Sequence, residues 1–133
     1  MNYLVSEYIS NPHLINGYKY DLRIYVVVTS YDPLKIYIYQ EGLCRFATEI
    51  YDSKKIHQKF SHLTNYSINK NNSKVPFLTQ FVKNQNVGED QIGSKWSLTG
   101  LRQHFQSKGI DDEKIFSQIK DLIIKTLITV EPF

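Results

Sequence analysis

The chain has 133 residues, of which 41% are hydrophobic and 14% aromatic, and its formal net charge is +3. That length fits one domain with enough apolar material to bury a core, which excludes a disordered or low-complexity segment. The charge is too slight for the dense Lys/Arg stripe of a nucleic-acid binder, and no apolar run approaches the roughly 20 residues that a membrane span requires. Met1 is followed by no basic-then-apolar leader, and Cys44 has no second cysteine to pair with, so a reducing, cytoplasmic compartment is expected. The triplets Asn65-Tyr66-Ser67 and Asn71-Asn72-Ser73 are then chance glycosylation patterns.

In chain order, residues 4–9 form a short apolar segment closing on Ser10-Asn11-Pro12, and they read as a strand that delivers its end into a loop. Asn16-Gly17 is a strong reverse-turn dipeptide that opens a strand over 19–29. Ser30-Tyr31-Asp32-Pro33 turns it into an alternating strand over 35–39, and Gln40-Glu41-Gly42 turns that into a third strand over 43–50. The expected unit is an antiparallel meander. Residues 67–94 are rich in Asn, Ser, Lys, Gln and Gly apart from a patch at Pro76-Phe77-Leu78, and a stretch of that length without periodicity predicts a flexible loop or flap. Two helices follow. Ser97 is placed to cap one over 98–108, with Gly109 where a left-handed C-terminal residue is wanted; Asp111 is placed to cap the next. Asp112 and Glu113 favour the positive end of that second helix, and Ile115, Ile119, Leu122, Ile123 and Leu127 form an apolar stripe expected to be core.

Charge is concentrated in one place. Lys19, Asp21 and Arg23 recur at every second position just before Ile24-Tyr25-Val26-Val27-Val28, so a strand would project all three from one face while Tyr20, Leu22 and Ile24 point the other way. Such a face suits a polyanion, because Arg offers a planar fork of donors and Lys a compact positive charge; a solvated ladder of ion pairs accounts for the same pattern. Arg45, flanked by apolar neighbours on the third strand, must find an anion or reach for water. The segment Phe60-Ser61-His62-Leu63-Thr64-Asn65-Tyr66-Ser67-Ile68-Asn69-Lys70 is dense in small hydrogen-bonding groups, as a loop around a polar ligand would be, though Asx and Ser turns explain it equally well. His13, His57, His62 and His104 have no metal-ligand spacing, and no glycine-rich phosphate loop occurs.

The ordered succession Ser6-Glu7-Tyr8-Ile9-Ser10-Asn11-Pro12, Lys19-Tyr20-Asp21-Leu22-Arg23, Tyr39-Gln40-Glu41-Gly42-Leu43-Cys44-Arg45-Phe46-Ala47, His62-Leu63-Thr64-Asn65-Tyr66-Ser67 and Lys95-Trp96-Ser97-Leu98 resembles the tubulin tyrosine ligase-like family, and within it most resembles the glutamate-adding enzymes. The resemblance covers nearly the whole chain and implies an α+β fold, part of an ATP-grasp domain with an antiparallel sheet followed by two helices. It implies that Ser6, Glu7, Tyr8 and Ile9 line the adenine through their backbone, that Lys19 and Asp21 contact the nucleotide, and that Arg23 meets the terminal phosphate as the catalytic cation. By the same likeness Thr64 and Asn65 serve the ribose and phosphates, while Arg45, aided by His62, Tyr66, Ser67 and Lys95, holds the incoming amino acid.

The implied reaction is ATP-dependent polyglutamylation of tubulin. ATP phosphorylates a glutamate γ-carboxylate on an acidic C-terminal tail, and the amino group of free L-glutamate displaces the phosphate. ATP and Mg²⁺ are the implied cofactors and tubulin or microtubules the implied partner, with no nucleic acid or membrane; the implied location is the cytoplasm and cytoskeleton, including cilium or basal body. The family's upstream phosphate loop and its downstream acidic residue and Glu-x-Asn metal ligands do not occur in residues 1–133, so the chain reads as an interior, partial domain without metal ligands and without activity alone. A tyrosine or glycine ligase of the same family, or a non-catalytic tubulin-binding remnant, are the alternatives.

Overall fold

The computed structural model describes residues 2–70, 72 and 95–130. They form a four-stranded antiparallel sheet in the order β1 (Leu14–Ile15), β2 (Tyr18–Tyr31), β3 (Leu34–Phe46) and β4 (Lys95–Ser97). Two one-turn helices, α1 (Lys59–His62) and α2 (Tyr66–Asn69), lie between β3 and β4 in the chain; α3 (Leu98–Ser107) and α4 (Asp112–Ile128) follow β4. The α+β class expected from the sequence is what the chain adopts.

Local chemistry explains most boundaries. Asn16 and Gly17 both take positive φ, 51° and 82°, the twist a two-residue hairpin between β1 and β2 demands. The Ser97 hydroxyl accepts from the Gly100 N–H at 2.9 Å, and the Asp111 carboxylate from the Lys114 N–H at 3.0 Å, so both helices start where a capping residue stands. Gly109 ends the first at φ 69°.

Three expectations are corrected. Residues 4–9 form no strand: no described edge pairs with them, and Leu4 is 97% exposed, so their apolar character is not matched by burial. Gln40-Glu41-Gly42 is not a turn, and the two strands expected around it are the single strand β3, which stops at Phe46 instead of reaching residue 50. There Ile24 faces Gly42 and Val26 faces Ile38, so Tyr39, Gln40 and Glu41 together oppose Tyr25. The turn-like composition serves a bulge that bends the ribbon without ending it. Finally, only the start of the stripe on α4 meets the core: Ile115 packs against it, whereas Ile119, Ile123 and Leu127 are half-buried outside that cluster and Leu122 is exposed. Spacing reveals which face of a helix is apolar, not what covers it. Of the stretch expected to be a flexible loop, residues 67–69 belong to α2; residues 71 and 73–94, with the Pro76-Phe77-Leu78 patch, lie outside the described residues.

The core is the face of the sheet opposite the charges. Leu22, Cys44 and Trp96 stand in one row across β2, β3 and β4, with Tyr20 facing Phe46 in the next. Cys44, Phe46, Trp96 and Ile15 pack with Leu101 and Phe105 of α3. Burial, and next the Asp21 carboxylate, push the Cys44 thiol up to about 12. In the folded protein at pH 8, Cys44 should react with Ellman's reagent at least about three orders of magnitude more slowly than free cysteine, and at the ordinary rate once unfolded.

Helices α3 and α4 are tied by Arg102, whose Nε donates to Asp112 Oδ2 at 2.6 Å while its terminal nitrogen pairs with Glu113. Gln106 Nε2 donates to the other Asp112 oxygen at 3.1 Å. Between this junction and the bulged ribbon runs a groove of about 510 Å³ lined in part by Ile24, Ile38, Leu98, Phe116 and Ile119. Arg102 holds Asp112 below the usual carboxylate range, and burial, then Lys108 and His13, hold His104 below the usual histidine range. Both groups therefore bind fewer protons folded than unfolded, so acid weakens the fold. The thermal midpoint is expected to drop first below about pH 6.5, through His104, and again below about 3.9, through Asp112. His104→Phe should flatten the first step in melts recorded from pH 8 to 3.

Candidate active site

The alternation in β2 does what its spacing predicts. Asp21 stands opposite Arg45 of β3, which stands opposite Lys95 of β4, so three strands contribute to one row. Arg23 heads the next row, opposite Leu43 and through it Ser97. Lys19 precedes them on the same face of β2, and beyond Arg23 that face continues as the exposed Tyr25, Val27 and Tyr37.

Within the row, Arg45 Nε donates to Asp21 Oδ1 at 2.9 Å and a terminal nitrogen pairs with Asp21 Oδ2, a two-pronged contact in a half-buried position. This bond to Asp21 raises the Arg45 pKa further, against the opposing effect of burial. A guanidinium has five N–H groups, so donors remain on Arg45 for a further anion. Lys95 Nζ lies 4.4 Å from the centre of the Tyr66 ring, a cation over an aromatic face. Among the described residues, Lys19, Arg23 and Lys95 have no carboxylate within ion-pair reach, whereas Arg45 is neutralised by Asp21. The alternative reading, a Lys-Asp-Arg ladder along β2, is not what forms among the described residues: Asp21 reaches across to β3.

Lys19 is held by its neighbours. Its Nζ donates to the Tyr8 hydroxyl at 3.1 Å and lies 4.9 Å from the Tyr8 ring centre. The Tyr8 hydroxyl is also 2.8 Å from His62 Nδ1, and His62 Nε2 is 3.1 Å from the Lys55 carbonyl oxygen. Tyr51 packs edge-on against His62 at 5.0 Å and donates to the Ser10 carbonyl at 2.9 Å. Burial, then its contact with Tyr8, raise the Tyr51 pKa above its ordinary value.

Of the other residues singled out in the sequence, Ser6, Glu7 and Ile9 are exposed. Thr64 and Asn65 lie in the link between α1 and α2; the Asn65 carbonyl accepts the Asn69 N–H at 3.0 Å and so starts α2. Tyr66 and Ser67 are exposed at the beginning of that helix.

Pattern reading missed what holds this link in place. The Thr48 hydroxyl, 5% exposed, donates to Asn69 Oδ1 at 2.6 Å, and the Asn69 amide donates to the carbonyls of Leu63 at 2.7 Å and Asn65 at 3.0 Å. The Asn72 amide adds bonds to Thr48 at 3.0 Å and Glu49 at 3.2 Å. Asn69 belongs to the polar segment that sequence singled out, but Thr48, Tyr51 and Lys55 carry no local signal. Their roles exist only through contacts from distant parts of the chain.

A cationic row on one sheet face, stiffened by a neighbouring loop, is the site to compare with known proteins. The tubulin-tyrosine ligase family model matches residues 1–132. The chain belongs to that family. It is 46% identical over 132 residues to tubulin polyglutamylase TTLL5 of Mus musculus and 46% identical over 132 residues to tubulin monoglutamylase TTLL4 of Mus musculus, covering 98% of this chain in each case. It is also 43% identical over 131 residues, 96% of this chain, to tubulin polyglutamylase ttll-5 of Caenorhabditis elegans. The chain spans 10% of the length of each mouse relative and 17% of the nematode one.

Proposed function

We propose that the chain is the phosphate-facing and amino-acid-facing part of an ATP-grasp ligase that adds glutamate to glutamate side chains of tubulin tails. The observation that carries this reading is the joint face of Lys19, Arg23, Arg45 and Lys95, in a chain similar to relatives named for glutamylation of tubulin. The donor set fits ATP: among the described residues Lys19 and Arg23 are cations without a carboxylate partner, as a polyphosphate requires. In contrast, no group of three or more His, Cys, Asp or Glu able to hold a metal occurs among the described residues, so no role for Mg²⁺ is assigned to them.

In this reading the terminal phosphoryl group passes to the γ-carboxylate of an acceptor glutamate. The amino group of free glutamate then forms the C–N bond as the C–O bond to phosphate breaks, and the amine proton leaves. Arg23 faces the charge that grows on the phosphoryl oxygens, a position at which a preorganised donor contributes about 3 to 4 kcal/mol. Arg45 holds the carboxylate of the incoming amino acid with the donors Asp21 leaves free, and Asp21 aims it. Lys95 adds positive charge to the same row, and cations without carboxylate partners among the described residues suit an acidic tail as acceptor. Cytoskeletal location, including cilium or basal body, follows if tubulin is the acceptor.

The test is mass spectrometry of tubulin tails after incubation with the full-length protein, ATP and isotopically labelled glutamate, tyrosine or glycine. Mass increments of labelled glutamate are expected. Increments of tyrosine or glycine alone would change the assigned amino acid, and microtubule binding without any increment would mark a non-catalytic protein.

A further inference from the structure

We propose that Tyr8 and His62 are positioning residues for Lys19, joined to it by a one-way chain of hydrogen bonds. The inference rests on the reading of Lys19 as a nucleotide contact. It reassigns His62, which the sequence resemblance placed on the amino-acid substrate.

The direction of the chain follows from its two ends. The Lys19 ammonium can only donate and the Lys55 carbonyl can only accept. The Tyr8 oxygen therefore accepts from Lys19, and the proposed chain runs on with the Tyr8 proton given to His62 Nδ1 and the His62 proton on Nε2 meeting Lys55. The Tyr51 hydroxyl, which also has a side-chain hydrogen bond with Tyr8, gives its own proton to the Ser10 carbonyl. In this arrangement the Tyr8 oxygen is the link between Lys19 and His62.

Two further observations point to positioning rather than substrate contact. His62 is 8% exposed, and both ring nitrogens are taken within the chain, so it has neither surface nor a free polar atom for an amino acid. Lys19 is a long side chain without a carboxylate partner among the described residues, and Tyr8 is what restrains it through both hydroxyl and ring. Tyr8 in turn sits on residues 2–10, which pair with no strand. Its anchor to the folded body is His62, reinforced by the Tyr51 bond to Ser10. One chain of contacts thus ties residues 2–10 and Lys19 to α1.

The experiment measures KM for ATP, KM for glutamate and kcat in the full-length enzyme. Tyr8→Phe keeps the ring and removes the hydrogen bonds to Lys19 and His62; it should raise KM for ATP about tenfold while leaving KM for glutamate and kcat within about twofold. His62→Gln lacks an acceptor at the Nδ1 position and should behave like Tyr8→Phe. His62→Asn restores an acceptor there and should return KM for ATP to within about threefold of the parent. Thermal midpoints confirm that each variant is folded. A rise in KM for glutamate in the His62 variants would overturn the proposal in favour of a direct substrate contact, and equal behaviour of His62→Asn and His62→Gln would overturn it in favour of simple packing. Lys19→Ala separates the two layers: if it leaves KM for ATP unchanged, the nucleotide reading of Lys19 fails and the proposal falls with it. If Lys19→Ala raises KM for ATP but Tyr8→Phe does not, the positioning role alone is refuted.

Discussion

Arg23→Ala is expected to lower glutamate incorporation by the full-length ligase about 100- to 1,000-fold while leaving its thermal midpoint nearly unchanged. The two halves of that expectation have separate grounds. Arg23 is exposed on the sheet face and forms no ion pair among the described residues, so its removal orphans no buried partner. The loss of turnover follows from the proposed role, because a fixed donor facing developing phosphoryl charge is worth that factor when deleted. Arg23→Lys should recover only part of the activity, since an ammonium lacks the planar fork. Turnover is read from labelled glutamate incorporated into tubulin; full activity in Arg23→Ala would remove Arg23 from the mechanism.

The second large effect concerns a residue that carries no chemistry. Gly42 lies at the bulge, where a Cβ would come within 2.2 Å of the Arg23 carbonyl oxygen and 3.0 Å of Leu98 Cδ1. The first obstacle is backbone, which no side-chain rotation relieves, so β2 and β3 would have to part just where Arg23 is displayed. Gly42→Val should therefore cost roughly 3 kcal/mol or more, at the upper end of overpacking effects. It is read as loss of folded yield or a large fall in the denaturation midpoint. Gly42→Ala should fold less stably than the parent and show reduced activity, because the strand that sets Arg23 is moved. A stable, fully active Gly42→Ala would mean the ribbon tolerates a separation that the structure does not indicate.

Gly42 also shows where pattern reading stops. In sequence, Gln40-Glu41-Gly42 has the composition of a turn, and a turn was the natural expectation; the need for glycine was legible, but its cause was not. A two-residue turn and a bulge both select small or polar residues, and only the register of the partner strand separates them. The same distinction applies to α4. Its capping residue and apolar face follow from local rules and are found as expected, yet that face is only half-covered, because burial depends on what packs against it. Likewise the charged face of β2 needs nothing beyond the alternation of a strand, whereas the partner of Asp21 had to come from β3. Of the site, Lys19, Arg23 and Arg45 were visible as residues with no apolar reason to be where they are; Thr48, Tyr51 and Lys55 were not.

Period, capping and turn chemistry act over a few residues, and they sufficed for an antiparallel sheet followed by two long helices, the turn at Asn16-Gly17 and the common orientation of Lys19, Asp21 and Arg23. Tertiary structure decided which cations are neutralised, where the ribbon bends, and that His62 is turned inward against Tyr8 and Lys55. The reason is that a hydrogen bond or ion pair between residues 54 positions apart, as between Tyr8 and His62, leaves no trace in the spacing of either segment. It exists only once the strands are in register and the loop after β3 has folded back across them.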